Sequence, residues 1–348
     1  MKFRTLPETE IRVSEIGFGL WTISTGWWGK FTEGEAIGLM HRALDLGITL
    51  FDAADTYGNG YSEELIARAF PAQRDQIVIA TKVGYNFYDH GNERRGQREI
   101  PQDFSVSFLR EAVDKALQRL NTDRIDILQL HNIRMPQVED DALWELMEKL
   151  MQEGKIRSYG AAIGPAIGWL YEGVDCVQRR RPHVLQHIYN ALEPHPGRQI
   201  MDEGETPSDV SKSARTRYLI RVTHSSGMLE GKYTKDTVFP PTDHRSHRPK
   251  SWLINGLKKI ETLQFLVGPG RTLGQAALQW LLADERIACC LPNIYEEAQL
   301  REFAAASESP ALTKDELARV AELAANNFGI ADEAHNYKGT MTRETVGV

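Results

Sequence analysis

The sequence predicts a single (β/α)8 TIM barrel, and two observations carry that prediction. From Ile16 onward, eight short apolar segments alternate with segments whose apolar residues recur at helical spacing. The strand segments are apolar throughout, which is typical of parallel strands covered by helices. No linker interrupts the alternation, and eight such units favour a closed barrel over an open sheet. We therefore expect one domain over residues 1–348, with an N-terminal β-hairpin, long loops on the C-terminal face and a loose tail over about 330–348.

The first half of the chain alternates regularly. Residues 3–15 are predicted to form the hairpin, with its turn at Pro7. Gly47 and Gly154 each follow a helical segment in the position of a C-terminal cap. The strands are predicted at 16–19, 49–52, 77–82 and 125–131, and the helices at 33–46, 62–70, 105–120 and 140–153.

The second half repeats the pattern with longer interruptions. A long loop over 223–250 is expected to cross one face of the barrel, and Pro292 ends the last strand. The strands are predicted at 156–162, 184–189, 218–222 and 287–291, and the helices at 167–178, near 208–215, and at 252–267, 272–283, 296–306 and 313–326.

Composition excludes several classes of protein. A net charge of −7 and a pI near 5.9 argue against a general nucleic-acid binder. No apolar run approaches the roughly 18 residues that span a bilayer, and the N-terminus lacks a signal-peptide core. The three cysteines, Cys176, Cys289 and Cys290, have no zinc-ligand spacing. We expect a reduced, cytoplasmic protein without a metal site and without a nucleic-acid or membrane partner.

Polar side chains end three neighbouring strands. Asp52, Lys82 and His131 close the second, third and fourth strands, and Tyr57 follows the second by one short loop. Taken alone, each has an ordinary interpretation as a cap, a surface residue or a satisfied barrel residue, although lysine is rarely buried unpaired. Strand ends on the C-terminal face of a barrel meet at one mouth. The sequence therefore predicts these four side chains in one pocket.

This set of groups suits proton donation to an oxygen that gains charge. A free tyrosine, with a pKa of about 10, is a poor acid at neutral pH. A neighbouring ammonium favours the phenolate, and a carboxylate keeps that ammonium charged. Histidine can hydrogen-bond the oxygen of a polarised carbonyl. Protonation of a forming alkoxide by Tyr57 then requires a partner that delivers electrons, for which a hydride cofactor is the natural complement.

Three stretches resemble the signatures of the aldo-keto reductase superfamily: FDAADTYGNGYSEE (51–64), IATKVG (79–84) and DILQLHN (126–132). The resemblance continues through GKIRSYG (154–160), QHIYN (186–190), SSGMLEGKY (225–233) and QAALQWLLAD (275–284). The family implies an (α/β)8 barrel that binds NADPH or NADH and reduces carbonyl compounds. It implies Tyr57 as the general acid, Lys82 and Asp52 as the pair that tunes it, and His131 as the residue that orients the substrate.

The same resemblance implies where the cofactor binds. Gln186 would hold the carboxamide, and Arg221 stands where an aromatic residue often stacks on the nicotinamide. Small residues in the loop after the seventh strand permit close backbone approach to a pyrophosphate. The implied cofactor residues are Gly19, Leu20, Trp21, Gln186, Arg221, Ser225, Ser226, Gly227, Leu229, Pro292, Asn293, Tyr295 and Gln299.

Some positions depart from the family pattern. Ala162 and Ile163 stand where the family often has Ser-Asn, and Tyr295 and Phe303 replace residues that often hold the 2′-phosphate and the adenine. Glu296 and Glu297 would repel a phosphate. The long loop offers cations that could share it, and we therefore expect NADPH, with NADH possible. These loop cations are Lys232, Arg245, Arg248 and Lys250.

Aromatic residues are expected beside the mouth. A pocket walled by Trp21, Trp27, Trp28 and Tyr85 would favour apolar or cyclic carbonyl substrates, although tryptophan there could equally be loop packing. Two other functions stay open. One is a cofactor-binding sensor subunit with little turnover, similar to the β subunits of potassium channels. The other is a barrel isomerase or phosphate-site enzyme, because the fold hosts many chemistries. The sequence leaves the physiological substrate, the favoured direction and the oligomeric state undecided.

Overall fold

The computed structural model, which describes residues 1–91, 99–204, 216–331 and 335–343, contains a barrel of eight parallel strands and confirms the predicted fold class. Each strand pairs in parallel with the next along the chain. A parallel bridge between Ile16 and Cys290 joins the first strand to the last. The barrel strands are β3 (Phe18–Gly19), β4 (Leu50–Asp52), β5 (Val78–Val83), β6 (Ile127–His131), β7 (Tyr159–Ala162), β8 (Val184–Ile188), β9 (Arg217–Arg221) and β10 (Ile287–Leu291).

The N-terminal hairpin covers the bottom of the barrel. Its strands, β1 (Phe3–Thr5) and β2 (Arg12–Ser14), pair antiparallel as predicted. Buried hairpin residues such as Leu6 and Val13 pack in one apolar cluster with the first residues of several barrel strands, among them Leu50. Burial of this kind stabilises a fold by roughly 25 cal/mol per Å² of apolar surface. The hairpin therefore leaves the opposite, C-terminal mouth as the open end.

Helices surround the barrel and three more lie in its loops. Thr32, Thr272 and Thr313 each begin a helix with a reciprocal capping box, the arrangement that satisfies free N–H groups at a helix start. The helices are α1 (Trp21–Ser24), α2 (Glu33–Asp45), α3 (Tyr61–Ala69), α4 (Phe87–His90), α5 (Val106–Leu120), α6 (Met135–Glu139), α7 (Asp141–Gln152), α8 (Leu170–Asp175), α9 (Gly197–Gly204), α10 (Lys250–Thr262), α11 (Leu273–Leu282), α12 (Glu297–Ala306) and α13 (Lys314–Ala325).

Several loops contain helices that the sequence pattern did not predict. The short helices α1, α4 and α6 have only four or five residues, too few to show a helical period. Helix α9 occupies part of a stretch interpreted as a polar connection, whereas the helix expected near 208–215 lies outside the described residues. Helix α8 is shorter than predicted and continues as a π-helical turn, Cys176–Arg180.

The described part of the tail is attached to the barrel, so the expectation of a loose tail is wrong for residues 335–343. Lys338 forms a parallel bridge with Gly168. The N–H and hydroxyl groups of Thr340 donate to the buried carboxylate of Glu172 at 3.1 and 2.9 Å. Sequence periodicity did not indicate this attachment because hydrogen bonds to a distant loop leave no local pattern.

None of the helices in the described ranges is long and apolar enough to cross a membrane. Within the same residues, no group of three or more His, Cys, Asp or Glu side chains is arranged to hold a metal ion. The three cysteines are buried as free thiols.

Candidate active site

A buried ion pair lies at the mouth of the barrel. Lys82 Nζ donates to Asp52 Oδ2 at 2.7 Å and to the Ala53 carbonyl at 2.7 Å. The side chains of Lys82 and Asp52 are 1% and 7% exposed. Asp52 ends β4 opposite Ala80 of β5, and Lys82 follows Ala80 by two residues on the same face of that neighbouring strand, which is how the fold brings the two residues together. A lysine this deeply buried keeps its charge only with a partner such as this carboxylate.

Tyr57 and His131 face the same pair, so the structure brings together all four residues that the strand ends predicted. Lys82 Nζ lies 5.0 Å from the centroid of the Tyr57 ring. The rings of Tyr57 and His131 meet edge to face, with 5.8 Å between their centroids. A tight turn, in which the Tyr57 N–H donates to the Ala54 carbonyl at 3.0 Å, holds the tyrosine over the strand ends. Tyr57 is only partly buried and reaches the open mouth.

Two glutamines hold the second oxygen of Asp52. Gln186 Nε2 donates to Asp52 Oδ1 at 3.0 Å, and Gln129 Nε2 does so at 3.3 Å. Gln186 was expected in the site, but Gln129 was missed. It stands two residues before His131 on β6, and side chains two apart on a strand share a face. A polar residue at that inward position was the signal that could have identified Gln129.

A second set of charged residues, also missed, lies behind the turn. Glu63 is fully buried, accepts from the Thr81 hydroxyl at 2.6 Å and pairs with Arg119 Nε at 2.7 Å. Burial, followed by the charge of Glu63, raises the pKa of Asp55 well above its ordinary value. The cluster depends on α3 packing against α5, a long-range contact that local sequence does not reveal.

Tyr85 lies on the other side of His131. Its ring meets His131 edge to face at 4.9 Å, and Asn132 Nδ2 donates to its hydroxyl at 2.9 Å. The Tyr85 hydroxyl in turn donates to Glu99. Burial, the charge of Glu99 and its hydrogen bond raise the pKa of Tyr85. Of the four aromatic residues expected around the substrate, Tyr85 therefore borders the tetrad directly.

The three tryptophans contact the long loop after β9. We call residues 232–249 of this loop the strap. His244 in the strap meets Trp21 edge to face at 5.4 Å and lies 5.9 Å from the Trp27 ring. Arg245 lies 4.1 Å over the Trp28 ring. The strap thus crosses the mouth and docks on the first loop.

Gly19 and Leu20 contribute backbone to the mouth. Gly19 pairs with Asp52 in the β3–β4 ladder, and the Leu20 N–H donates to the Asp52 carbonyl at 2.9 Å. The Leu20 side chain is fully buried in the core. Leu20 therefore supports the mouth from within the core, whereas the space beside Gly19 is open.

Arg221 ends β9 and reaches across the mouth. Its Nη2 donates to the Ile163 carbonyl at 2.9 Å. Burial lowers the pKa of Arg221, and the nearby Tyr57 and Asp52 partly offset that effect. Arg221 therefore belongs to the same pocket as the tetrad.

The backbone after β9 forms a small concave turn. Ser225, Ser226 and Gly227 have positive φ values of 46°, 56° and 91°. Within the described chain, the N–H groups of Ser226 and Gly227 donate to no other group. A Cβ at Gly227 would lie 2.3 Å from the Tyr233 hydroxyl, so glycine is required there. Arg248 Nη2 donates to the Ser226 hydroxyl at 3.2 Å. Free N–H groups beside a cation form a binding site for an anion, and we call the turn with Ser226 and Gly227 the cradle. The fully buried Leu229 packs beneath this turn.

The remaining predicted cofactor residues follow β10. Asn293 lies 3.5 Å from the Thr22 hydroxyl, and the Tyr295 hydroxyl donates to Glu230 Oε2 at 3.1 Å. Gln299 is buried and accepts from the Tyr295 N–H at 3.0 Å, next to the buried Pro292. Burial raises the pKa of Glu230 to about 7, an effect that the bond from Tyr295 lessens. These residues form a second cluster of polar side chains, which is connected to the cradle through Glu230.

Sequence comparison assigns the barrel to a family. The model of the "Aldo/keto reductase family" matches residues 15–325. The chain belongs to the aldo/keto reductase family. This aldo/keto reductase is 31% identical over 294 residues to "Aldo-keto reductase YhdN" of Bacillus subtilis, covering 81% of each chain. It is 28% identical over 324 residues to "NADH-specific methylglyoxal reductase" of Escherichia coli, covering 88% of this chain and 93% of that one.

A solved structure shares the architecture of this aldo/keto reductase. The holo form of "aldo-keto reductase AKR11C1 from Bacillus halodurans" aligns over 93% of this chain and 96% of its own, with a TM-score of 0.72 and 26% identity. As an aldo/keto reductase, the protein is an NAD(P)H-dependent oxidoreductase, and members of its family reduce carbonyl groups with a nicotinamide cofactor.

Proposed function

We propose that the protein reversibly reduces an aldehyde or ketone to an alcohol, with the proton coming from Tyr57. The observation that carries this proposal is the Lys82–Asp52 pair beneath the Tyr57 ring, with an Nζ–Oδ2 distance of 2.7 Å and an Nζ–centroid distance of 5.0 Å. A phenol beside a buried ammonium is suited to give up its proton to an alkoxide as it forms. The nicotinamide cofactor supplies the hydride when bound.

Each group at the mouth has a role in this proposal. Lys82 places an ammonium group beside the Tyr57 ring, and Asp52 is the carboxylate that pairs with it. Gln129 and Gln186 fix the Asp52 carboxylate, so that its orientation does not change when the tyrosine ionises. His131 lies within ring contact of Tyr57 and hydrogen-bonds the carbonyl oxygen from the opposite side.

The described residues fit a nicotinamide dinucleotide. The cradle of Ser226 and Gly227 offers unpaired N–H groups to a pyrophosphate. At the far end, the buried Gln299 lies beside the Glu230 carboxylate, and its Nε2 makes no hydrogen bond of ordinary geometry within the described residues, which leaves this group able to donate to a polar ligand atom. Gln186 and Arg221 flank the end where the hydride must be delivered.

We propose NADPH as the preferred cofactor, with the strap cation Arg248 as the main contact of its 2′-phosphate. The strap cations differ in how they are paired. Arg245 donates hydrogen bonds to the Asp243 carboxylate at 2.6 Å and to the Tyr233 hydroxyl at 2.7 Å. These contacts within the strap hold its backbone together. Lys232 pairs with Glu296 at 2.8 Å. Among the described residues, the Arg248 guanidinium contacts only the neutral Ser226 hydroxyl and the Trp252 ring.

Arg248→Gln should raise the KM for NADPH by about tenfold, the loss expected from removing one charge-assisted contact, and raise the KM for NADH less. Arg245→Gln, the matched control, removes a guanidinium that Asp243 already neutralises and should loosen the strap for both cofactors alike. Steady-state kinetics with each cofactor measure the two ratios. Equal effects of Arg248→Gln on NADPH and NADH would show that this arginine does not recognise the phosphate.

We propose a small apolar or cyclic carbonyl compound as the substrate. The Tyr85 ring packs against His131, and Trp21 in the first loop packs against Trp28. Aromatic walls around a few polar groups favour substrates with an apolar body. Assays of NADPH oxidation with aldehydes, cyclic ketones and sugars, compared at equal concentration, rank these classes.

Tyr57→Phe tests the central proposal. The substitution removes the proton donor and should lower kcat by about 10²-fold or more, while the dissociation constant of NADPH stays the same. Tyr61→Phe, four residues on in α3, is the matched control and should keep kcat. Unchanged kcat in Tyr57→Phe would remove Tyr57 from this role. Tight NADPH binding without turnover of any carbonyl would instead favour a sensor subunit.

A further inference from the structure

Arg221 carries a positive charge that no carboxylate of the described chain neutralises. Its Nη2 donates to the Ile163 carbonyl at 2.9 Å, and its Nη1 lies 3.4 Å from the Pro165 carbonyl, both uncharged groups. Other partly buried guanidinium groups of this protein are paired with acids: Arg119 with Glu63, Arg134 with Glu99, and Arg245 with Asp243. A guanidinium that forms no ion pair with a described residue is available to act on a ligand.

The direction of the Arg221 side chain is fixed. Arg221 is opposite Ile188 of β8 and Leu291 of β10 in the barrel register. A Cβ at Gly164 would lie 2.0 Å from Arg221 Nη2, so the guanidinium rests directly on that glycine. The side chain therefore crosses from the end of β9 to the loop after β7 and covers the carboxyl end of β8.

The positions of Arg221 and Tyr57 limit where in the pocket hydride transfer can occur. A Cβ at Gly164 would lie 2.0 Å from Arg221 Nη2 and 3.1 Å from Asn132 Oδ1, so the guanidinium lies beside Asn132. Asn132 directly follows His131, whose ring meets that of Tyr57 at 5.8 Å. A substrate carbonyl that accepts a proton from Tyr57 puts its carbon next to the Tyr57 hydroxyl. The hydride donor must approach that carbon to about 3.5 Å. The donor ring therefore lies within the field of the Arg221 charge.

The nicotinamide ring is positively charged when oxidised and uncharged when reduced. A fixed cation nearby repels only the oxidised form, and such repulsion is strong where water is partly excluded. We propose that Arg221 is a specificity-determining residue that makes this site bind the reduced cofactor more tightly than the oxidised one. The inference rests on the proposed function and adds to it a preference between redox states.

This preference has a consequence for the direction of catalysis. Arg221 would speed release of the oxidised cofactor after carbonyl reduction and limit inhibition by it, so that the site reloads with the reduced form. For a two-electron couple, each tenfold difference between the two dissociation constants corresponds to about 30 mV in the potential of the bound cofactor.

The test compares the dissociation constants of NADP+ and NADPH, measured by calorimetry. The two nucleotides share their adenosine, phosphates and ribose, so the ratio of the two constants cancels those contacts and reports the charge on the nicotinamide ring. We expect the wild-type ratio, NADP+ over NADPH, to exceed one. Arg221→Gln keeps a donor for the Ile163 carbonyl but removes the charge, and should lower the ratio on the order of tenfold. Arg221→Lys keeps the charge and should retain most of the wild-type ratio.

The alternative outcomes are distinct. An unchanged ratio in Arg221→Gln, or equal weakening of both nucleotides, would overturn the inference and leave Arg221 only a structural contact of the loop after β7. If Arg221→Gln does not fold, Arg221→Leu provides a second neutral variant for the same ratio. Arg110→Gln, a surface change in an arginine paired with Glu153, controls for net charge and should leave the ratio as it is. Failure of the wild type to bind either nucleotide would contradict the proposed function instead.

Discussion

At the scale of single residues, the Asp52 carboxylate is saturated with donors. One oxygen accepts from the Lys82 ammonium, and the other accepts from the amides of Gln129 and Gln186. Removing two charges from water costs several kcal/mol per ion, and only excellent geometry offsets that cost. The pair therefore serves the chemistry more than the stability of the fold. Removing one partner alone is far worse than removing both, because it leaves a buried charge without compensation.

Asp52→Asn should destabilise the protein by about 3–5 kcal/mol, because it leaves the Lys82 ammonium buried without a counter-charge. Adding Lys82→Met to the same chain should recover most of that loss, while activity stays absent. Urea denaturation of the single and double variants measures both effects. Asp45→Asn is the control, since Asp45 pairs with Arg42 only at the surface, at 3.5 Å. If Asp52→Asn were as harmless as this control, the Lys82 charge would not depend on Asp52.

The strand-end residues were predictable because barrel topology alone determines where strand ends meet. Asp52, Lys82 and His131 were found in this way, whereas Glu63 and Arg119 were not. The latter two depend on how α3 and α5 pack, which a periodic pattern does not encode. What the sequence could predict was therefore the set of elements and the residues that their ends bring together.

At the scale of elements, the strap shows the limit of such prediction. A loop has no periodic pattern of apolar residues. Its sequence therefore predicted that cations lie near a phosphate, but not which acids these cations pair with. In the structure the His244 N–H donates to the Trp27 carbonyl at 2.9 Å, and Arg245 lies over Trp28. These contacts fasten the strap to the first loop. Arg245, expected to contact the phosphate, is instead neutralised by Asp243.

The strap also covers an acid whose ionisation opposes folding. Burial raises the pKa of Glu230 from 4.5 to about 7. Since the folded state holds this proton more tightly than the unfolded chain does, stability is unaffected at low pH and falls as the pH rises from about 4.5 through 7. Glu230→Gln removes that loss. We therefore expect the variant to match the wild-type Tm at pH 5 and to exceed it by roughly 2 °C or more at pH 8.

Calorimetry at both pH values tests this expectation, with Glu261→Gln as control. Glu261 is an exposed glutamate on α10, and its substitution should leave Tm alike at pH 5 and pH 8. If Glu230→Gln raised the Tm as much at pH 5 as at pH 8, packing and not the ionisation of Glu230 would explain the higher Tm of the variant.

At the scale of the whole molecule, the N-terminal hairpin and the described tail residues 335–343 cover opposite ends of the barrel. The hairpin packs on the first residues of the strands. The tail lies at the mouth, where Gly339 contacts the Trp169 ring. Arg134 lies 3.8 Å over the other part of that ring and pairs with Glu99 at 3.0 Å. Glu99 in turn accepts from Tyr85, whose ring contacts His131. A continuous series of contacts therefore joins the tail to the substrate side of the active site.

Gly339→Ala tests whether this series matters for catalysis. A Cβ at Gly339 would lie 2.4 Å from Trp169 Cε3, so the tail cannot dock without displacing the indole. The variant should show a red-shifted tryptophan emission, faster proteolysis of the tail and a KM for the carbonyl substrate raised roughly three- to tenfold, the effect of misplacing a wall of the pocket. The NADPH dissociation constant should not change, because the cradle and Arg248 lie on the strap side of the mouth.

The control for Gly339→Ala is Gly329→Ala. Gly329 has φ +74° against +73° for Gly339, so an alanine carries the same left-handed strain of about 1–2 kcal/mol at either position. Unlike Gly339, Gly329 has no atom within 4 Å of the added Cβ. The difference between the two variants thus isolates the contacts of the added Cβ, which are with Trp169 and, at 3.0 Å, with Glu172 Oε2. A shared loss of stability with an unchanged substrate KM in both would show that the tail stabilises the barrel but has no influence on His131.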